Sequence, residues 1–198
     1  MKTDNGFTLI ELAVVLAIIA VLAAILTPMA INYIDQSRIS RAMADAKTIA
    51  QAVQLYRKDT GYYPIYSTLA NAQAGTTSAS VLVSAGTGLT STGSYTSGWA
   101  ILLAGSNLDL VTQLNTPLSG LNANAQNPGK SSYRGPYIGA LDADPWGNQY
   151  IVTANNLNGS TNRGFVVSAG PNGTLETNPY QSTTTFASGG DDIAIPIN

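Results

Sequence analysis

The chain of 198 residues contains neither cysteine nor histidine. Without them it lacks the ligands of the usual zinc sites, the attachment points of haem, and the Cys-His and Ser-His-Asp arrangements of nucleophilic catalysis. The absence of cysteine also excludes a disulfide, which often holds loops in small extracellular domains. Any terminal loop in this chain must therefore be held by other contacts.

Charged residues are also scarce. Nine Lys or Arg and 11 Asp or Glu make up 10% of the chain, and the formal net charge is −2. No basic cluster occurs, so we do not expect nucleic-acid binding, which requires the neutralisation of phosphates. Paired carboxylates alone suffice for glycoside hydrolysis. The close acid pairs beyond the first helix are Asp142 with Asp144 and Asp191 with Asp192, and we expect no enzyme.

By contrast, an uninterrupted run of Ala, Val, Ile and Leu extends from Leu12 to Leu26. With Phe7 to Ile10 before it and Met29 to Ile31 after it, the segment reaches the roughly 20 residues that a bilayer-spanning helix needs. One acid, Glu11, lies near its N-terminal end, where an ionised carboxylate in hydrocarbon costs on the order of 3 kcal/mol, and less near an interface. The pattern predicts a membrane helix in which Glu11 requires a partner.

Two simpler interpretations compete with this one. A secretory signal peptide would use Ala20, Ala23 and Ala24 as small residues of a cleavage site, but the apolar run is long and the helical pattern continues beyond it. A plain signal anchor leaves Glu11 unexplained.

The helical pattern beyond the run predicts a second, amphipathic half. Apolar residues recur at alternating steps of three and four, with charged residues mostly off this seam. Arg41 and Asp45 have the i, i+4 spacing of a helical ion pair. The seam comprises Ile39, Ala42, Ala46, Ile49, Val53 and Tyr56.

Pro28 is expected to kink or loosen this helix, and Gly61 and Pro64 to end it. One helix from Phe7 to about Asp59 would be roughly 80 Å long, longer than any bilayer. We expect its second half to pack on the chain's own head domain. A coiled-coil stalk is the alternative, but the seam is short and contains small alanines.

The remaining chain divides into two parts that differ in residue composition and in sequence pattern. Residues 62–141 are rich in Ser, Thr, Ala, Gly and Asn, with three charges, and are interpreted as a variable connecting region. Apolar residues within it predict a possible short helix or two apolar turns that end before Pro117: Trp99, Leu102, Leu103, Leu108, Val111 and Leu114.

Residues 142–198 show strand and turn patterns. Asp144 to Asn148 predicts a turn, because Pro145 fixes φ and Gly147 can adopt positive φ. Tyr150 to Thr153 and Gly164 to Ser168 predict two strands of a hairpin, and Ile193 to Ile197 a third strand. The result is a small antiparallel sheet packed on the long helix.

The stretch Gly6-Phe7-Thr8-Leu9-Ile10-Glu11-Leu12, followed by the apolar run, resembles the N-terminal motif of the type IV pilin and type II secretion pseudopilin superfamily. The resemblance implies that residues 1–6 are a leader cut after Gly6 by a prepilin peptidase, and that Phe7 becomes an N-methylated terminus. It also implies that Glu11 serves assembly by pairing with the N-terminal amine of a neighbour. Two groups that are costly in an apolar bundle can neutralise each other in this way.

Three later segments, Asp144 to Tyr150, Val167 to Gly173 and Gly190 to Ile193, resemble the C-terminal half of major pseudopilins in order and spacing. In that family the loop between the last two segments wraps a calcium ion.

Carried over by position, the resemblance implies carboxylate ligands from Asp191 and Asp192, a backbone carbonyl from Ala169, and Asn172 where Asp is usual. An amide oxygen can coordinate calcium, although one negative charge is lost. Glu176, in the long loop before Gly190, cannot be placed from the sequence. The alternative is that the acid pair caps a turn.

Together these observations predict an α+β pilin fold divided into residues 1–6 (leader), 7–33 (transmembrane and filament-core helix), 34–61 (amphipathic half), 62–141 (connecting region) and 142–198 (sheet and C-terminal loop). The implied function is a filament subunit, stored in the bacterial inner membrane and then assembled with copies of itself by an inner-membrane platform into a periplasmic or extracellular filament. Surface pilus and secretion pseudopilus both stay open. A minor, tip-located subunit for adhesion is the alternative.

Overall fold

A computed structural model describes residues 6–76, 79–91, 95–119, 133–159, 161–182 and 184–197. The chain divides into two compact units, with the boundary between Arg38 and Ile39.

The first long element is the helix α1, Leu9–Thr60, which confirms the predicted helix. Pro28 lies within it and does not end it. Gly61 follows with a φ of 80°, a left-handed conformation that glycine adopts without steric cost, and this ends the helix. The basic residues Arg57 and Lys58 lie in the last turn, where they stabilise the negative end of the helix dipole.

The amphipathic seam of α1 faces the head domain from Ala42 onward. Ala42, Ala46, Ile49, Val53 and Tyr56 are all buried, as predicted. Ile39 was also predicted on the seam, but it is 39% exposed because it precedes the part of α1 that the head covers.

The predicted ion pair is present on this part of α1. Arg41 Nε lies 3.6 Å from Asp45 Oδ2. The same Asp45 oxygen accepts a hydrogen bond from the Tyr150 hydroxyl at 3.1 Å, which ties the helix to the sheet.

In the part of the chain that the structure describes, seven short strands follow α1. They are β1 (Val81–Val83), β2 (Thr90–Ser91), β3 (Asn107–Asp109), β4 (Ile151–Val152), β5 (Phe165–Ser168), β6 (Thr174–Leu175) and β7 (Ile193–Pro196). The main sheet has the order β3-β1-β4-β5-β7, and β2 pairs with β6 in a separate two-stranded sheet.

The α+β architecture is confirmed, and the three predicted C-terminal strands form β4, β5 and β7. The main sheet is mixed, however, because β1 pairs with β3 in parallel while its other pairs are antiparallel. The parallel pair comes from the segment that the sequence suggested was only a connection. Strands of three residues rich in polar neighbours leave too weak a period-two signal to be recognised.

The described residues of the segment 62–141 also form three short helices: α2 (Leu69–Ala74), α3 (Thr96–Ala104) and α4 (Leu110–Asn115). The expected short helical segment is thus confirmed as α3 and α4. Asp109 begins α4, because its carboxylate accepts the Thr112 backbone N–H at 2.7 Å. Thr68 caps α2 in the same way, through Asn71 N–H at 3.2 Å.

The main sheet is covered on both faces. On one face, Val152 and Val166 join the cluster that contains Ile49 and Val53 of α1. On the other face, Ile151, Phe165 and Val167 pack with Trp99 and Leu102 of α3. Since side chains alternate along a strand, burial on both faces explains why β4 and β5 are buried at every position.

Candidate functional site

The N-terminal motif is exposed and begins with a helix cap. The backbone N–H of Thr8 and its hydroxyl both donate to Glu11 Oε2, at 3.0 and 2.9 Å. In return, Glu11 N–H donates to the Thr8 hydroxyl at 3.3 Å. This reciprocal arrangement is a capping box, which satisfies backbone donors that the first turn of a helix leaves without partners.

The capping box gives Glu11 a partner within its own chain. The sequence predicted that this acid needs a partner, and Thr8 supplies one. The implied pairing with the N-terminal amine of a neighbour stays a prediction. The signal was present, since Thr8-x-x-Glu11 before an apolar run is the sequence pattern of a capping box. Gly6 and Phe7 lie before the cap, and Phe7 is 86% exposed.

The apolar part of α1 exposes its side chains in every direction. One window of this helix has a mean hydropathy of 3.1 and none of it is buried, so by length and composition it is able to cross a membrane. Exposed residues include Leu9, Leu16, Ile19, Leu22, Ile25 and Met29. A surface apolar on all sides requires lipid or other helices as its environment.

The predicted turn in the head is held by Asp144. This buried carboxylate accepts the backbone N–H groups of Trp146 and Asn148 on Oδ1, at 3.0 and 2.8 Å. Its other oxygen accepts the Ser168 hydroxyl at 2.6 Å. Asp144 is thus committed to joining the turn to the end of β5, while Asp142 is exposed.

The structure brings together three of the four residues implied as calcium ligands. Asp191 Oδ2 accepts the backbone N–H of Asn172 at 3.2 Å. Asp192 Oδ2 accepts the backbone N–H groups of Glu176 and Thr177, at 2.8 and 2.6 Å. The fourth residue, Ala169, is buried directly after β5. We call residues 169–176 with 190–192 the acidic loop.

Glu176, which the sequence could not place, belongs to the acidic loop. The Asn172 amide nitrogen donates to its carboxylate at 3.5 Å. The Glu176 side chain lies so close to Gly190 that a Cβ at position 190 would overlap it. Gly190 also has a φ of 51°, a backbone conformation that favours glycine, whereas the flexible Glu176 side chain could move away from a Cβ.

Two carboxylate oxygens of the acidic loop have no partner. The Oδ1 atoms of Asp191 and Asp192 are buried and accept no hydrogen bond from the residues that the structure describes. Burial raises the pKa of Asp192, while the hydrogen bonds from Thr177 and Glu176 act in the opposite direction. Buried acceptors without a partner cost free energy, and a cation would relieve that cost.

Side chains alone do not complete a metal site. Among the described residues, no group of three or more His, Cys, Asp or Glu side chains is arranged to hold a metal ion. Calcium accepts backbone carbonyl and amide oxygens as ligands in addition to carboxylates. A calcium ion here would therefore depend on oxygens such as those of Ala169 and Asn172 as well as on the two aspartates.

Protein contacts hold the loop between Glu176 and Gly189. The Trp99 indole N–H donates to the Thr177 carbonyl at 2.7 Å. The Gln181 amide bonds both backbone groups of Ala187, each at 2.6 Å. These contacts, including the long-range one from Trp99, are among the means other than a disulfide by which this loop is held.

Comparison with known protein families gives two matches. Residues 1–27 match the family model described as the prokaryotic N-terminal methylation motif. Residues 109–185 match the model described as protein G of the type II secretion system. No solved structure matches the chain.

Curated relatives agree with these models. The type II secretion system core protein G of Pseudomonas aeruginosa is 40% identical over 63 residues, which are 32% of this chain and 44% of that protein. Core protein G of Escherichia coli K12 is 28% identical over 175 residues, covering 88% of this chain and 86% of that protein. The type IV major fimbrial protein FimA of Dichelobacter nodosus is 47% identical over 51 residues, or 26% of this chain and 33% of that protein.

Proposed function

We propose that this chain, which belongs to the type IV pilin and type II secretion pseudopilin superfamily, is a structural subunit that polymerises into a filament. The observation that carries the proposal is the exposed apolar helix that begins at the capped Glu11, directly after Gly6 and Phe7. Before assembly this helix lies in the membrane. After assembly, other copies of the same helix replace the lipid.

Among the two filament types, the secretion pseudopilus is favoured. Similarity to core protein G extends over 88% of the chain, and therefore includes the head. The match to FimA extends over only 51 residues. A minor tip subunit for adhesion is not favoured, because the relatives carry the names of core and major subunits.

Processing would occur between Gly6 and Phe7. We propose that a prepilin peptidase cuts there on the cytoplasmic face and that Phe7 is then N-methylated. The bond is accessible, since Phe7 is 86% exposed and no atom lies within 4 Å of a Cβ placed on Gly6. Mass spectrometry of assembled filaments should show a chain that begins at N-methyl-Phe7. An intact Met1 in filaments would contradict the proposal.

A substitution at Gly6 separates recognition by the peptidase from folding. Because the space around Gly6 is open, Gly6→Leu should leave the fold unchanged. The unprocessed chain should then accumulate in the inner membrane with the circular dichroism spectrum of the wild type. If Gly6→Leu is cleaved at the wild-type rate, the prepilin peptidase does not require glycine at this position.

Assembly would use Glu11 and a second copy of the chain. After cleavage, the Phe7 amine of one subunit and the Glu11 carboxylate of a neighbour would neutralise each other in the apolar bundle. An inner-membrane platform would add subunits from the membrane to a periplasmic or extracellular filament.

For the acidic loop we propose a calcium ion. Its ligands would be Asp191 and Asp192, together with oxygens of Ala169 and Asn172, and Glu176 is close enough to contribute. The support is the pair of buried Oδ1 atoms without partners. The ion would neutralise adjacent carboxylates and cross-link residues from two ends of the loop.

Thermal unfolding with EGTA and with millimolar calcium tests this proposal. An ion that binds only the folded state stabilises it by RT ln(1 + [L]/Kd), about 2.7 kcal/mol at a hundredfold excess over Kd. The melting temperature should rise with calcium in the wild type and in Asp142→Asn, whose carboxylate is exposed, but not in Asp191→Asn. If calcium does not change the melting temperature of the wild type, the calcium site is contradicted and Asp191 and Asp192 serve only to cap a turn.

A further inference from the structure

We propose that Asn172 is a site of spontaneous deamidation, which converts a neutral residue of the acidic loop into a carboxylate. Asn172 precedes Gly173 and is exposed. Glycine has no side chain to hinder attack by its own backbone nitrogen on the preceding amide. The Asn-Gly sequence is therefore intrinsically reactive, and the surrounding contacts decide whether the reaction occurs.

The contacts of Asn172 favour the reaction. The Thr174 backbone N–H donates to Asn172 Oδ1 at 2.6 Å, and the amide nitrogen faces the Glu176 carboxylate at 3.5 Å. These two contacts fix the amide orientation, because the reverse orientation would set oxygen against carboxylate and N–H against N–H. When Cγ is attacked, negative charge develops on Oδ1, where a donor is already in place.

The atoms of the reaction balance with water as the other reactant. The Gly173 backbone nitrogen loses its proton to water and forms a bond to Cγ of Asn172. This bond closes a five-membered ring. The Cγ–Nδ2 bond then breaks, Nδ2 takes a proton from water and leaves as ammonia, and a succinimide remains. Water adds to either carbonyl of the ring and opens it to aspartate or isoaspartate. No oxidant or reductant is needed, and the loop gains one negative charge.

The attacking nitrogen is only weakly held. Gly173 N–H donates to the Gly170 carbonyl at 3.4 Å, near the upper limit for a hydrogen bond. The reaction requires this bond to break, and its length indicates a small cost.

Asn158, followed by Gly159, provides a control within the same chain. The Tyr66 hydroxyl donates to Asn158 Oδ1, and Asn158 Nδ2 donates to the Gly75 carbonyl at 2.7 Å. Both partners are more than 80 residues away in the sequence. The Asn158 amide is thus held between distant segments, and turning it toward the Gly159 nitrogen would break both of these bonds, whereas the contacts of Asn172 are to residues two and four positions away.

Deamidation would change the cation chemistry of the acidic loop. It adds a carboxylate to those of Asp191, Asp192 and Glu176, so repulsion rises without a cation and attraction rises with one. This consequence depends on the calcium site proposed above, whereas the reaction itself does not.

The experiment follows both asparagines by peptide mass spectrometry in the purified full chain, held in detergent at neutral pH. Deamidation raises the mass of a peptide by about one dalton. In the folded chain Asn172 should react at least about tenfold faster than Asn158, a difference of about 1.4 kcal/mol in activation free energy. In urea the two rates should converge, since both residues precede glycine. Equal rates in the folded chain, or a folded Asn172 that does not react, would overturn the proposal.

Two variants sharpen the result. Tyr66→Phe removes one clamp from Asn158, and should raise the rate at Asn158 while that at Asn172 stays the same. Asn172→Asp reproduces the aspartate product, and calcium should raise its melting temperature by more than that of the wild type. If Asn172 reacts selectively but calcium affects neither protein, the modification site stands and the calcium site fails.

Discussion

Replacing Ile49 with alanine tests how α1 packs on the sheet. Ile49 is fully buried in the cluster that contains Val53, Leu82 and Val152. The change removes three carbon atoms, and at about 0.8 kcal/mol each the lost transfer free energy is about 2.4 kcal/mol. The cavity raises the cost of such changes to about 2–5 kcal/mol, while the higher helix propensity of alanine recovers a few tenths. We expect the free energy of unfolding to fall by about 3 kcal/mol.

The matched control is Leu55→Ala, which removes the same number of carbon atoms from the same helix. Leu55 is 48% exposed, so its loss should change stability by no more than about 0.5 kcal/mol. Thermal unfolding of the full chain in detergent, followed by circular dichroism, measures both. For a domain of this size 1 kcal/mol shifts Tm by about 2–4 °C, which gives about 6–12 °C for Ile49→Ala. Equal shifts in the two variants would refute the assigned packing face.

Three further predictions concern the helix cap at Thr8 and Glu11, the loop between Glu176 and Gly189, and the half-buried Tyr137. Glu11→Gln keeps an acceptor for Thr8 but loses the charge, whereas Thr8→Ala loses the two cap bonds of the Thr8 hydroxyl and keeps the charge. Sheared-filament yield should fall for Glu11→Gln and not for Thr8→Ala, and the opposite result would assign the role of Glu11 to the cap. Trp99→Phe leaves the Thr177 carbonyl without its indole donor, at a cost of about 1–3 kcal/mol. A protease should therefore cleave residues 177–189 faster in this variant than in the control Trp146→Phe. Equal cleavage rates in the two variants would contradict the contact. Burial raises the pKa of Tyr137 to about 12. The contribution of the protonated Tyr137 to the free energy of unfolding is therefore fully present below the ordinary pKa of about 10, and it is lost as the pH rises toward 12. Urea unfolding should show a smaller loss over that pH range for Tyr137→Phe, and identical profiles would exclude Tyr137 as the group responsible.

The sequence predicted the local elements with strong periodicity. The helix α1, the turn at Asp144 and the three C-terminal strands follow from patterns that repeat over several residues or from the restricted φ of Pro145. The strands β1 and β3 were not foreseen, since their pairing joins segments some 25 residues apart and depends on register rather than on composition.

For the candidate sites, too, the sequence predicted what depends on neighbouring residues and did not predict what depends on contacts between segments. Gly6, Phe7 and Glu11 lie within six residues of each other, and the segment that contains them matches the model of the prokaryotic N-terminal methylation motif. The capping role of Glu11 was within reach of the sequence, because Thr8 is only three residues away. The sequence could not predict that Glu176 lies close to Asn172 and Gly190, because this depends on how the two segments of the acidic loop fold against each other.

The sequence by itself determined that the chain has one long apolar helix with an acid near its start, and that it lacks thiol and imidazole chemistry. These properties depend on residue types and on spacings within a few turns of helix. Only the tertiary structure decided that Trp99 holds the loop at Thr177, that Ile39 stays exposed, and that two buried carboxylate oxygens find no partner among the described residues. Each of those outcomes is set by contacts between residues far apart in the chain, and local propensity does not encode the free energy of such contacts.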